Sequence, residues 1–117
     1  MEKIKIKQWD LRTKAWLELE GHPVIGAGRM AMLQAIEHRG SILRASQELG
    51  ISYRKMRGAI RDMEDVIGEP LVKAYRGGGN GGGAELTPAA QELMAFFNKF
   101  SKEFNKKADT HFQRILK

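Results

Sequence analysis

Over the first twenty positions, apolar and polar residues alternate as they do along β-strands. Ile4, Ile6 and Gln8 fall on one face with Lys3, Lys5 and Lys7 on the other, and Ala15, Leu17 and Leu19 repeat the pattern opposite Glu18 and Glu20. The alternation predicts an antiparallel β-hairpin within residues 1–25, with Trp9 and Trp16 as its aromatic packing and "GHPVIGAG" as a Gly- and Pro-marked loop. A helical period then takes over. Met30, Leu33 and Ile36 predict a helix that ends at Gly40. Ser41 is placed to cap a second helix carrying Ile42, Ala45 and Leu49, which stops at Gly50. Ser52 caps a third, whose apolar stripe is Met56, Ala59, Ile60, Met63 and Ile67. Val72 to Tyr75 is a short strand candidate, and Glu85 and Leu86 supply a return strand. Thr87 as cap and Pro88 at the first helical position open a final helix of roughly 29 residues, about 43 Å long.

The second and third helices, joined by "ELGIS", have the spacing of a helix-turn-helix. Gly50 supplies the turn's backbone freedom, and Ser46, four residues earlier, is small enough for the helices to cross closely. Ala45, Leu49, Ile51, Met56 and Ala59 form the apolar seam. Any short helical corner needs a glycine and such a seam, so the exposed face has to decide.

Charge supplies that decision. The net charge is +6, and between Leu49 and Arg61 there are four basic residues and no acid. Arg54, Arg57 and Arg61 are three and four residues apart, which aligns them on one helical face, with Lys55 and Gly58 beside them and Tyr53 in the first turn. Arginine pairs in bidentate fashion with guanine, so a recognition helix is the functional reading: Arg54 and Arg57 toward bases, and Lys55, Arg61 and Arg76 toward phosphates. The plain alternative is a solvated face balanced by Glu64 and Asp65.

Between the strand candidates lies "RGGGNGGGAELT", with six glycines in seven consecutive positions. A Walker-type phosphate loop would need Gly-Lys-Ser/Thr leading into the helix, and no lysine follows. A linker would need a second domain, and the remaining residues read as one helix. A hairpin tip whose bare backbone approaches a phosphate chain fits better, with Arg76 at its base and Asn80 at its tip, so that bulkier residues at Gly78 and Gly82 should impair DNA binding while leaving thermal stability nearly unchanged. The expected DNA-facing set is therefore Ser41, Ser52, Tyr53, Arg54, Lys55, Arg57, Arg61, Arg76, Gly78, Asn80 and Gly82.

The stretch "GSILRASQELGISYRKMRGAIRDMEDVIGEPLVKAYRGGGNGGGAELTPAAQELM" resembles the N-terminal DNA-binding domain of ModE-type, molybdate-responsive transcription regulators, a branch related to LysR-type winged helices. The matching pieces are "GSI" at Gly40, "GISY" at Gly50, "DME" at Asp62 and the glycine-rich wing joined to "LT", and the resemblance covers about residues 26–97. It implies binding of operator DNA as a homodimer. In that family molybdate is sensed by separate C-terminal β-barrel domains, and the chain departs from the pattern in having nothing after Lys117 to hold the oxyanion. The expectation is DNA binding without molybdate binding.

Other chemistry finds little support. With no cysteine there is neither a disulfide framework nor a thiolate site. His22, His38 and His111 are scattered, with no carboxylate at metal-ligand spacing, so neither a metal nor a cofactor is expected. No apolar run approaches the roughly 18 residues that span a bilayer, and the N-terminus lacks a signal-peptide core, which points to a cytoplasmic protein. Leu93, Phe97, Phe100, Phe104, Phe112 and Ile115 keep near-helical spacing on the last helix and are expected to form a dimer interface.

The sequence thus predicts one mostly helical α+β domain over 1–117, a winged helix-turn-helix with an N-terminal β-hairpin, a glycine-rich wing (76–84) and a C-terminal dimerisation helix (87–117). Its expected function is sequence-specific transcription regulation through a recognition helix at 52–67. The alternatives are a winged-helix module that partners a longer regulator and, behind it, a phosphate-ligand or nucleotide-using enzyme built on the glycine loop.

Overall fold

The computed structural model describes residues 3–76 and 82–117. Two short antiparallel hairpins flank three helices, and a long helix closes the chain. The elements are β1 (Leu17–Leu19), β2 (His22–Ile25), α1 (Ala27–Arg39), α2 (Ile42–Leu49), α3 (Tyr53–Ile67), β3 (Val72–Tyr75), β4 (Gly83–Leu86) and α4 (Pro88–Leu116). The mostly helical α+β architecture matches the expectation.

The N-terminal segment does not. Residues 3–10 are all exposed and form no strand; Lys5 adopts a left-handed conformation and Ile6–Gln8 make a single 3-10 turn. Alternation alone could not make a strand there, because no neighbouring strand offers a ladder or covers the Ile4 and Ile6 face. The hairpin forms later, between β1 and β2, so the supposed loop "GHPVIGAG" contains a strand. Pro23 is tolerated because both strands of a two-stranded ribbon are edges. Val24 and Ile25 turn inward and are buried. Trp9 and Trp16 stay about half exposed, at 50% and 52%; the Trp16 indole donates to Glu18 of β1 at 2.8 Å, whereas that of Trp9 donates to Ile4 O within the N-terminal segment.

The core has two centres. One gathers Val24, Ile25, Leu33, Met63, Leu71, Ala90, Met94 and Phe97 under the first hairpin and α4. The other gathers Ala35, Ile36, Ile42, Ala45, Met56, Ile60 and Ala84 among α1, α2, α3 and β4. Helix α1 runs between them, giving Leu33 to one and Ala35 and Ile36 to the other, which is why its apolar positions do not keep to one clean stripe.

Each short helix is punctuated as its sequence dictates. The Ser41 hydroxyl accepts from the Arg44 N–H at 3.2 Å, Ser52 from Lys55 at 3.0 Å and Thr87 from Ala90 at 3.2 Å, each satisfying an orphan N–H of a helix start. Between α2 and α3, Gly50 takes φ +68°, and the Ile51 N–H returns to the Ser46 carbonyl at 3.0 Å. Ser46 is buried in the crossing and donates its hydroxyl to Leu43 O at 2.7 Å.

Helix α4 leaves the body. The chain measures 67 × 29 × 20 Å with a radius of gyration of 18.3 Å. A compact domain of this length would have about 13 Å. Ala90, Met94 and Phe97 anchor the first turns in the core, and beyond them the helix is mostly exposed.

Candidate nucleic-acid interface

The second hairpin is tied to the turn between α1 and α2 through Ala84 and closed at its own base through Thr87. The Ala84 N–H donates to Gly40 O at 2.8 Å, the Thr87 N–H donates to Leu71 O at 3.0 Å, and the Thr87 hydroxyl donates to Pro70 O at 2.7 Å. β3 and β4 pair in plain register, Val72 with Leu86 through Tyr75 with Gly83. A small cleft of about 150 Å³ results, lined by Ser41, Leu43, Tyr53, Tyr75, Gly82 and Gly83 among others. The start of α2, the start of α3 and the base of the wing therefore meet at one surface.

Of the residues expected there, Ser41, Tyr53 and Gly82 line this cleft, and Ser52, Arg54, Lys55 and Arg61 are exposed along α3. Arg57 is half-buried. Arg76 is exposed at the end of β3, while Gly78 and Asn80 lie outside the described residues. Ser41 and Ser52 spend an oxygen lone pair on their caps and keep the hydroxyl proton to donate elsewhere. A Cβ at Gly58 would meet nothing within 4 Å, so this glycine answers no packing need inside the chain.

The acids explain why the stripe remains cationic. Among the described residues the ion pairs are Arg29 with Asp62, and His38 and Arg39 with Glu48. None involves Arg44, Arg54, Lys55, Arg57, Arg61, Lys73 or Arg76. The Glu64 carboxylate accepts the Leu71 and Val72 N–H groups, and among the described residues neither Glu64 nor Asp65 forms an ion pair with the arginines. At the far end of α1, the Arg39 hydrogen bond holds the Glu48 carboxyl below its ordinary value of 4.5, against some desolvation and with a further bond to His38.

Gly82 behaves differently from expectation. It sits at φ +109°, and a Cβ there would lie 2.5 Å from the Tyr75 carbonyl oxygen. The residue is fixed by the hairpin's own backbone, so replacing it is a structural injury as well as a change of surface.

Sequence reasoning missed Leu43 and Tyr75, which are 51% and 53% exposed on the cleft. Tyr75 carried a signal in being the cross-strand partner of a glycine: its ring lies over Gly83, where an added Cβ would sit 2.9 Å from the phenolic oxygen. On α4 the expected interface divides. Phe97 is buried in the chain's own core and Leu93 packs against it, so these two are spent within the protomer. Phe100, Phe104 and Ile115 remain exposed, and Phe112 is half-buried. Among the described residues no three His, Asp or Glu side chains gather as a metal site would need, and no helix is long and apolar enough to cross a membrane.

The chain is similar to several known proteins. Over 81 residues the chain is 38% identical to the molybdenum-pterin-binding protein MopA of Rhodobacter capsulatus, covering 69% of this chain and 31% of that one. It is 38% identical over 82 residues to the transcriptional regulator ModE of Yersinia pestis, with 70% and 31% covered. With the DNA-binding transcriptional dual regulator ModE of Escherichia coli K12 it shares 36% over 70 residues, 60% and 27% covered. The chain thus spans less than a third of the length of these relatives. Among solved structures, the DNA-binding domain of CbnR, crystallised with DNA, superposes with a TM-score of 0.58 at 16% identity, over 75% of this chain and 95% of that one, a likeness of fold. The model of bacterial regulatory helix-turn-helix proteins of the lysR family matches residues 28–91, and the chain belongs to that family.

Proposed function

We propose that the chain is a sequence-specific DNA-binding transcription regulator that acts on its operator as a homodimer. The observation that carries the reading is the cationic stripe Arg54, Arg57 and Arg61 on α3, which forms no ion pair among the described residues and is set beside a wing. A duplex carries one negative charge per about 1.7 Å, and a face of this kind gains affinity by releasing its counterions. The start of α3 is the part that enters a major groove, while exposed Lys73 and Arg76 on the wing strand lie toward the flanking backbone. Operator DNA sets the site of action in the cytoplasm.

The dimer rests on α4. Beyond Phe97 it carries Phe100, Phe104 and Ile115 exposed and Phe112 half-buried in a single protomer, and such a stripe costs free energy until covered. A two-fold pair would hold two recognition helices about 34 Å apart and select an inverted repeat.

Genome-wide mapping of bound DNA, followed by anisotropy titration of the recovered sites against scrambled duplexes, tests the reading. Binding to the recovered sites at least about 10³-fold tighter than to scrambled DNA is expected. Equal, weak binding to both would instead favour the protein-partner module, for which the half-exposed Trp9 and Trp16 are apolar contact candidates. Molybdate has no site on this chain in this reading, and a calorimetric titration that gave saturable heat would overturn that part alone.

A further inference from the structure

The structure assigns to Glu64 the positioning of the wing on the recognition helix. One carboxylate oxygen, Oε2, accepts both the Leu71 N–H at 2.8 Å and the Val72 N–H at 3.2 Å. These are the last residue before β3 and the first of β3 itself. Glu64 also ends α3 through its backbone, where its carbonyl accepts the Gly68 N–H at 2.7 Å. One residue of the recognition helix therefore grips both the helix terminus and the strand that launches the wing.

The other wing anchors act elsewhere. Thr87 holds the carbonyls of Pro70 and Leu71, and Ala84 ties the return strand to the turn after α1. Neither reaches α3. Glu64 alone, among the described hydrogen bonds, fixes the donors of the wing's first strand to the helix that carries Arg54, Arg57 and Arg61. Both donors are part-buried, so without the carboxylate they face a desolvation cost, and the strand's cheapest remedy is to turn outward toward water. Such a turn would swing Lys73 and Arg76 relative to the stripe, and a duplex could no longer meet both at once.

This inference rests on the proposed DNA binding and has its own test. Because a single oxygen takes both bonds, the glutamine amide oxygen can replace it without the charge, whereas methionine keeps the length and apolar stem and removes the acceptor. Three proteins, wild type, Glu64→Gln and Glu64→Met, would be titrated with the mapped operator across a salt series, with hydrogen exchange followed at Leu71, Val72 and Lys73. Glu64→Gln should keep the wild-type affinity and salt slope. Glu64→Met should bind about tenfold more weakly with a salt slope smaller by about 1, and should lose protection at those amides. A loss of folded fraction alone would lower apparent affinity but leave the slope unchanged, so the slope separates positioning from mere stability. Wild-type slope in Glu64→Met, or equal impairment of the glutamine variant, overturns the assignment. If the wild type binds no DNA, the proposed function itself fails, while lost amide protection in Glu64→Met still reports the grip on the strand.

Discussion

The guanidinium of Arg29, on α1, lies 2.6 Å from the carboxylate of Asp62, on α3, and also donates to the carbonyls of Val24 at 2.9 Å and Pro23 at 3.4 Å. One side chain thereby ties the first hairpin and the recognition helix to the central helix. Its two halves differ in worth. The Asp62 side chain is 56% exposed, so the ion pair contributes little, about 1 kcal/mol or less. The bonds to the part-buried strand carbonyl matter more, because losing the donor leaves Val24 O unsatisfied. Asp62→Ala should therefore barely move the melting temperature, while Arg29→Ala costs about 1–3 kcal/mol. Equal losses in chemical denaturation would mean that the ion pair, not the strand contact, holds the joint.

If the proposed interface is correct, Arg54 and Arg57 make base contacts and Lys55 a phosphate contact. Arg57→Ala should cost about 1–3 kcal/mol of operator binding and relax selection at one base pair. Lys55→Ala should weaken all duplexes alike and reduce the salt slope by about 1. Titration of both variants against operator and random DNA separates the roles, and indistinguishable profiles would refute the division.

Gly82 gives a prediction opposite to the one its composition suggests. A loop tip tolerates change because it packs against nothing, but Gly82 combines a positive φ with a close backbone neighbour. Gly82→Ala should cost about 1–3 kcal/mol and lower the melting temperature by several degrees, in the absence of any DNA. An unchanged melting curve would mean that the hairpin relaxes freely.

The clamp on Glu48 predicts an acid limb. Its folded carboxyl titrates below the unfolded value because Arg39, and secondarily His38, favour the charged form. A depressed pKa of this kind stabilises the fold above the unfolded value of 4.5, and the contribution is lost as the pH falls through the lower, folded value. Melting curves from pH 7 down to about pH 3 should accordingly fall less steeply for Glu48→Gln than for the wild type. Parallel curves would remove Glu48 from the acid response.

The helix-turn-helix was legible because its information is local and periodic. Ser41, Gly50, Ser52 and Gly68 punctuate helices whose apolar residues recur at three and four, and each takes the conformation its residue type suggests. The first ten residues misled for the converse reason. Alternation at Ile4 and Ile6 is also local, but a strand needs a partner, and the partner is not written in the alternation. The joints made by Arg29 and Glu64 were illegible. Each is a side chain bonded to the backbone of a distant turn or strand, and backbone acceptors and donors look the same at every position. Phe97 was misassigned to the dimer face because helical spacing continues unbroken from the core-facing turns into the projecting ones, and only the body's size decides where one ends.

Beyond that point α4 carries the last prediction. Phe100 and Phe104 stack with ring centroids 5.6 Å apart and 10° between planes, and they remain 39% and 38% exposed, while Ile115 is 68% exposed and Phe112 half-buried. None belongs to either core centre, so a charge at Phe104 spares the core and disturbs, within the protomer, chiefly its stack on Phe100. If the stripe is covered by a second copy, two-fold symmetry counts each change twice. Covering the 38% of Phe104 that remains exposed is worth about 0.6–1.1 kcal/mol per copy, and a carboxylate there adds a desolvation cost, so Phe104→Glu should weaken the dimer by about 2 kcal/mol or more. The variant is expected to sediment as a monomer where the wild type is a dimer, to melt as a normally folded domain, and to bind an inverted-repeat operator steeply less well while its affinity for one half-site stays unchanged. A wild-type protein that sediments as a monomer at tens of micromolar, and binds a single half-site as tightly as the repeat, would show that the stripe serves some other contact.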